Sequence, residues 1–529
     1  MAVNILNATG GSGVKIAISF IENCLASSKD YGTTYIVIHD ADRENGDCNQ
    51  LRRLVNNYAV AHKLCVSQKA ATEIILMDEN LADCMKGKNL NSLISPKDPR
   101  RDIMNGSTDE VDRSMNLLDG QYGRADIGAF NCIARRPMFE KSKMMKTIIK
   151  FLEDGKDVCV MAAGGITGGT GPSYTLDNVM KVKDIAVHKN LAKNLHCAVA
   201  LLGPCMSNPK PTEQQLAEFG SEYHVDSNEA YARAAATFEH MDTISNLLPN
   251  DPDKNGNYYL DRMYFVGNPV LDPGQTKWMT NHQEVHPTHL LHFMLGTAIV
   301  DFFSNYNVQL EESDNGLRTI RINNGNEATE IISWENFPSC MKSDIVSTMR
   351  FCYIFLTEIV PLFALDIDDM KDNRVTCRWF ARTFSRKLCI DQKVLDNIIM
   401  HVDSMSDICK DYFTCFYDIQ NCTELGTGRK IVKLFDQQLL KNVRTTDYKS
   451  LNSFMINEKS YCVPDRLTEE SFPNLRTGLD GTAIMDNLAE DKDLCAAIKE
   501  SCKDPNPDSV ATKIVQLIVK ATYNIARIK

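Results

Sequence analysis

A chain of 529 residues exceeds what one compact core usually holds, so two or three domains are expected. Its 43% hydrophobic and 24% charged residues, without an excess of proline or glycine, describe a folded protein able to bury a large core. A net charge of −11, from 69 acidic against 58 basic residues, argues against a general nucleic-acid binder, although one basic patch is compatible with it.

The N-terminus, from Met1 to Leu6, runs straight into strand-like sequence with no signal-peptide pattern. The longest apolar stretch, residues 351–365, is interrupted by Glu358 and Pro361 and is too short for a membrane span. Eighteen cysteines without a C-x-x-C pair read as free, buried thiols, and a cytoplasmic protein is expected.

The first third alternates strands and helices, as crossover connections in an α/β sheet do. Residues 3–6 form the first predicted strand, followed by Gly10, Gly11 and Gly13 and a helix over 14–27. The second strand, 35–39, ends in Asp40 and Asp42, with a turn at Asn45-Gly46 and a helix over 50–62. Residues 86–118 read as a polar surface excursion, and 144–152 as a helix. A third strand, 158–163, opens into five glycines within Gly164 to Gly171, with a helix from about Ser173. Strand 197–202, helix 229–244, strand 263–266 and a long helix from His286-Pro287 to about Phe303 follow. Two turn signals within 314–326 suggest a hairpin or loop, and from Asp344 onward the pattern is mainly helical.

A strand that ends in glycines and opens a helix suits phosphate for a physical reason. Glycine lets several backbone N–H groups turn inward, and the helix N-terminus adds partial positive charge. Two such junctions occur here, at Gly10, Gly11, Ser12 and Gly13, and at Gly168, Gly169, Thr170 and Gly171. A Walker A loop is excluded, because neither junction has a lysine followed by Ser or Thr after its last glycine. A dinucleotide fingerprint beginning at Gly11 has Ile16 where its last glycine belongs. Of His282, His286, His289 and His292, three recur at intervals of three, but no carboxylate completes a ligand face, so packing or capping is the expected role.

The stretch Gly168-Gly169-Thr170-Gly171-Pro172-Ser173 resembles the glycine-threonine-glycine loop of tubulins and the bacterial division GTPase FtsZ. The order of parts is similar to that of divergent bacterial tubulin-like proteins: Gly10-Gly11-Ser12-Gly13, then Asp40-Ala41-Asp42 with Asn45-Gly46, then Asn281 to Pro287 before a long apolar helix. The likeness extends to about Pro338. It implies a tubulin-like α/β nucleotide-binding domain with a parallel sheet over 1–285, a central helix over 286–304, and a second domain with a helical extension over 305–529.

The resemblance also implies roles. Gly10, Gly11, Ser12 and Gly13 would cradle the α- and β-phosphates of GTP or GDP, and Gly168, Gly169, Thr170 and Gly171 the β- and γ-phosphates. Asp40 or Asp42 would sit near Mg²⁺ or the phosphates, their alternative being a strand-end turn or a cap. Ala129 and Asn131 resemble the loop approaching the γ-phosphate. Glu239 and Asn268 would reach the ribose and base, although Asn268 is equally a turn residue before Pro269. Thr167 and Pro172-Ser173 depart from the signature, and the acidic hydrolytic loop has no match, Asp301, Glu311 and Glu312 being the nearest carboxylates. The expected function is therefore a self-associating GTP-binding protein with slow or assembly-coupled hydrolysis and with protein partners at the C-terminal region. The alternatives are a non-hydrolysing nucleotide-binding scaffold and an NAD(P)-dependent oxidoreductase.

Overall fold

The computed structural model describes residues 2–42, 45–65, 69–82, 89–114, 125–203, 260–267, 285–308, 339–363, 392–420 and 492–526, with isolated pieces at 117, 213, 271–272, 317–319, 422–424, 432 and 434. Seven strands build one sheet: β1 (Val3–Thr9), β2 (Thr34–His39), β3 (Ile74–Asn80), β4 (Val158–Gly165), β5 (Leu195–Leu202), β6 (Arg262–Val266) and the short edge strand β8 (Leu317–Thr319). Their order is β3-β2-β1-β4-β5-β6-β8, and every pairing is parallel. A separate antiparallel ladder joins β7 (Leu271–Asp272) to β9 (Thr423–Glu424). The large sheet is a doubly wound, Rossmann-like arrangement. The order reverses between β1 and β4, the switch point where such sheets open a crevice.

Period-two alternation divides the core. Leu6, Ala8, Ile36 and Ile38 join the apolar cluster on one face, while Ile5, Val37, Val158 and Val160 join the cluster on the other. The first face carries α1 (Gly10–Ala26) and α2 (Gly46–Cys65). Between β3 and β4 run α3 (Leu90–Leu93), α4 (Arg100–Ser107), α5 (Glu110–Ser114), α6 (Ala125–Phe139) and α7 (Lys143–Glu153). The second face is covered chiefly by α7 and α8 (Thr170–His188).

Helix α9 (Leu290–Asn305) lies against α1 so closely that a Cβ on Gly296 would stand 2.7 Å from the Ser19 carbonyl carbon and 2.8 Å from Phe20 N. The remaining α-helices among the described residues are α10 (Ser339–Ile354), α11 (Val360–Phe363), α12 (Gln392–Gln420), α13 (Lys492–Ser501) and α14 (Pro507–Ala526), with a π-helical turn at Phe355–Ile359. They build into the same core as α1 and α2. Phe293 meets Phe416 at 5.3 Å, Phe351 stacks on Tyr523 at 3.8 Å, and Arg53 of α2 bonds Asp411 of α12 at 2.8 Å.

Several expectations need correcting. The first helix starts at Gly10, so its glycines form the first helical turn rather than a loop before it. Strand β3 lies in a stretch that the alternation left unassigned. The polar excursion over 86–118 contains three short helices, with Leu90, Ile94 and Met104 buried against α6. The long helix begins at Leu290, because residues 285–289 form no helix and His289, in extended conformation, is its N-cap. The predicted helix 229–244 lies outside the described residues. Ten of the eleven described cysteines are buried, and all eleven are free. No described helix is long and apolar enough to cross a membrane.

Candidate functional site

Strands β1 and β4 are neighbours in register, Thr9 opposite Gly164, so their helix-opening junctions meet at the switch point. Gly10 adopts φ +67°, a left-handed conformation that disfavours any side chain. A Cβ there would sit 3.3 Å from Thr170 Cβ and 3.5 Å from Gly171 N. The two junctions are thus in contact, through the Thr170 side chain and the Gly171 backbone. Other glycines are required by the same closeness. A Cβ on Gly13 would run into the Ala163 carbonyl oxygen, one on Gly171 into that of Gly165, and one on Gly165 would lie 2.7 Å from Ser12 Oγ.

Gly168 is different. A Cβ at Gly168 would meet nothing within 4 Å, and its φ is not in the left-handed region, so neither packing nor conformation within the chain demands glycine. Close approach of a ligand to the backbone would account for it.

Both helices present open N-termini. Thr9 precedes α1 and Gly169 precedes α8 without a side-chain cap, and neither helix has an acidic residue in its first turn. Their first N–H groups and partial positive charge therefore have no local acidic or capping partner. Pro172 removes one amide from the α8 set. Ser173 Oγ bonds the carbonyls of Ala125 and Gly169 at 2.8 and 2.9 Å, fixing the start of α6 to this loop.

Ala129 and Asn131, expected in a loop, stand inside helix α6. Ala129 is exposed, whereas Asn131 is fully buried with neither amide atom hydrogen-bonded. Thr9 Oγ1 and both amide atoms of Asn7 are likewise buried and unbonded on the face of β1 that looks toward α8. Beside them His39 lies 2.7 Å from Arg135 Nη1 through Nε2 and 2.7 Å from the Asn178 amide through Nδ1, with its ring against Tyr174 at 4.3 Å. Burial, then the charges of Arg135 and Lys181, hold its pKa well below the usual range, so the ring is neutral. A guanidinium only donates. Nε2 therefore accepts and Nδ1 carries the proton, which calls for the Asn178 amide, placed with Nδ2 toward the ring, to turn its oxygen there instead.

The acidic loop after β2 lies on the α1 side. Asp40 is buried and accepts from Asn45 Nδ2 at 2.8 Å and from the Asp42 N–H at 3.2 Å. Burial, followed by the nearby Asp42 charge, lifts its pKa to about 7. A cation beside it would favour the ionised form. Asp42 is partly exposed. Among the described residues no three His, Cys, Asp or Glu side chains converge as a ready metal cluster.

The residue that sequence reasoning missed is Asp47, in the first turn of α2. A Cβ on Gly11 would point at Asn45 Nδ2, 3.4 Å away, and at Asp47 Oδ2, 4.0 Å away. Asp47 pairs with buried Lys15 at 3.2 Å, and Lys15 Nζ also donates to Gln50 at 2.9 Å. It further accepts the His286 main-chain N–H at 2.8 Å and faces His286 Nδ1 at 2.7 Å. Thr288 N donates to Asp418 of α12 at 3.1 Å, so residues 286–288 link the first turn of α2 to the C-terminal helices. His289 and His292 form a capping pair: His289 Nδ1 accepts from Leu291 N at 3.2 Å, and His292 Nδ1 accepts from His289 N at 3.1 Å.

Asp301 receives Tyr264 OH at 2.7 Å and Asn305 Nδ2 at 2.9 Å. Glu239, Asn268, Glu311 and Glu312 lie outside the described residues. Taken together, two uncapped helix starts, an open glycine and unbonded buried amide and hydroxyl groups suit an anionic, oxygen-rich ligand. No protein-family model matches the sequence, and no curated protein matches it either.

Proposed function

We propose that the chain binds a guanosine di- or triphosphate across the β1–α1 and β4–α8 junctions and self-associates as a tubulin-like protein. The observation that carries this reading is the contact between the two glycine junctions, a Gly10 Cβ falling 3.3 Å from Thr170 at the sheet's switch point. In it, the first-turn amides of α1 and α8 grip the phosphates, while Thr170, Thr9 and Asn131 offer hydroxyl and amide groups nearby. Mg²⁺, when bound with the nucleotide, supplies charge neutralisation for the phosphates, and Asp40 and Asp42 are the carboxylates that would face its hydration shell. The guanine preference comes from the resemblance of the glycine-threonine-glycine loop. Self-association and C-terminal partners have the same source.

A second reading, binding without turnover, is favoured by Asp301, whose two oxygens are already engaged by Tyr264 and Asn305. Titration of the full chain with GTP, GDP, ATP and NADH, with phosphate release and sedimentation measured alongside, separates the readings. GTP-triggered pelleting with phosphate release supports the assembling GTPase. Tight GTP binding without release supports the scaffold. Preference for NADH overturns both. Gly168→Asp places a negative charge at a position with room for a side chain, so it is expected to abolish nucleotide binding while leaving the melting temperature unchanged.

A further inference from the structure

Helices α7 and α12 turn outward faces of opposite charge to solvent. In α7 the apolar residues Met144, Met145, Ile148 and Leu152 are buried in the cluster with β4 and β5, which leaves Lys143, Lys146 and Lys150 as one exposed stripe. None of these three lysines is engaged in an ion pair with another described residue. Met138, 46% exposed, stands just before the stripe, its carbonyl accepting the Lys141 N–H at 3.0 Å. In α12, Ile398, Val402, Met405 and Ile408 join the cluster around α1. The other side of that helix is an open groove of about 430 Å³ lined by Asp396, Ile399, Met400, Asp403, Ser404 and Asp407. Met400 is 53% exposed there, and Asp407, although 3.9 Å from Lys410, is still 39% exposed.

The two faces match in spacing as well as in sign. Lys143 and Lys150 are seven residues apart, as are Asp396 and Asp403. At about 1.5 Å per residue, each helix sets its two charges ~10 Å apart, so both pairs can form in one register. Each stripe also has an exposed methionine beside it, an adaptable apolar contact for the centre of an interface. An anionic bilayer or a nucleic acid would use the lysines alone and leave the acidic groove without a role. One copy cannot join the two faces itself, because α7 packs on one face of the sheet and α12 lies with α1 and α2 on the other. Resting on the self-association in the reading above, we infer that the lysine stripe of α7 docks in the acidic groove of α12 on a second copy of this chain. The two patches differ, so the contact is head to tail. It leaves one unfilled patch at each end, to which further copies add.

Charge reversal tests the pairing. Sedimentation of the full chain with GTP is compared for wild type, for Lys143→Glu with Lys150→Glu, for Asp396→Lys with Asp403→Lys, and for the chain carrying all four changes. Reversal of one face sets like charges against each other and should raise the protein concentration needed for pelleting at least roughly tenfold. The fully reversed chain should pellet as wild type does, and so should an equimolar mixture of the two singly reversed proteins. Wild-type pelleting should weaken at high salt. GTP affinity and melting temperature should be unchanged throughout, and Asp396→Lys alone, at an exposed position, replaces the doubly changed groove if that variant melts early. Pelleting indifferent to either reversal, no recovery on swapping both faces, or a wild type that binds GTP and stays monomeric overturns the inference while nucleotide binding stands. Loss of association in the lysine variant alone, with wild type binding phosphatidylserine vesicles, overturns it in favour of an anionic surface. Recovery by charge swap in a chain that associates without binding any nucleotide upholds the inference and overturns the GTP reading.

Discussion

Asp47 Oδ2 lies 2.7 Å from His286 Nδ1, joining the first turn of α2 to the approach of α9 across 239 positions of sequence. Burial alone would raise the Asp47 pKa, but the Lys15 charge and the His286 bonds outweigh it and hold the carboxyl below the usual range. Removing this carboxylate strands a buried ammonium, so Asp47→Ala should destabilise the fold by about 3–5 kcal/mol. Lys15→Met should cost less, because His286 still serves Asp47. Urea unfolding of the two variants measures the difference. Since the folded pKa is depressed, the pair's contribution is present above the unfolded carboxylate range and is lost as pH falls through the folded value.

Glycines of the same loop should respond in opposite ways. Gly171→Ala drives a methyl into the Gly165 carbonyl and should cost roughly 3 kcal/mol or more in stability. Gly168→Ala enters open space and should leave the melting temperature within a degree or so of wild type. Thermal melts of both proteins check the contrast.

Buried carboxyls and buried imidazoles pull the pH dependence in opposite directions. Asp40, raised to about 7 by burial and by Asp42, binds a proton in the folded chain that the unfolded chain releases near pH 4, so its contribution falls as pH rises between these values. His289, lowered to about 3 by burial, stays neutral in the fold while the unfolded ring takes a proton below about pH 6.5, so its contribution is lost on acidification. The stability of Asp40→Asn relative to wild type should therefore rise from pH 4 to pH 8, and that of His289→Asn should rise from pH 6.5 to pH 4. Denaturant midpoints measured across this range read both slopes.

The crossing of α1 and α9 leaves no room for a side chain at Gly296. Gly296→Ala places a methyl against the Ser19–Phe20 backbone and should cost about 1–3 kcal/mol. Gly106, with open space around it, is the control: Gly106→Ala should be neutral or slightly stabilising in the same melts.

Much of the sheet was legible because the central strands are continuous apolar runs, as parallel strands covered on both faces must be. VCVMAA and CAVALL carry β4 and β5, and glycines mark where β1 and β4 end. Strand β3, IILMDEN, was hidden by its acidic second half, where Glu79 turns outward to accept the N–H groups of Lys143 and Met144 at the start of α7. Helix α6 was obscured by Gly128 and by Pro137 inside the helix, two residues that usually interrupt one. Of the candidate site, the glycine junctions could be read locally. The Lys15–Asp47–His286 network could not, since no local pattern relates residues brought together only by the packing of α1, α2 and the residues before α9.

Helix α1 begins at the glycine cradle and ends deep among the C-terminal helices, with Gly10 against Thr170 at one end and Phe20 against Phe303 farther along. A rigid rod held at both ends cannot settle at one without loading the other. Amides of α10, α12 and α14, which share the apolar core with α1, should therefore exchange with deuterium more slowly once a ligand steadies the first turn of α1.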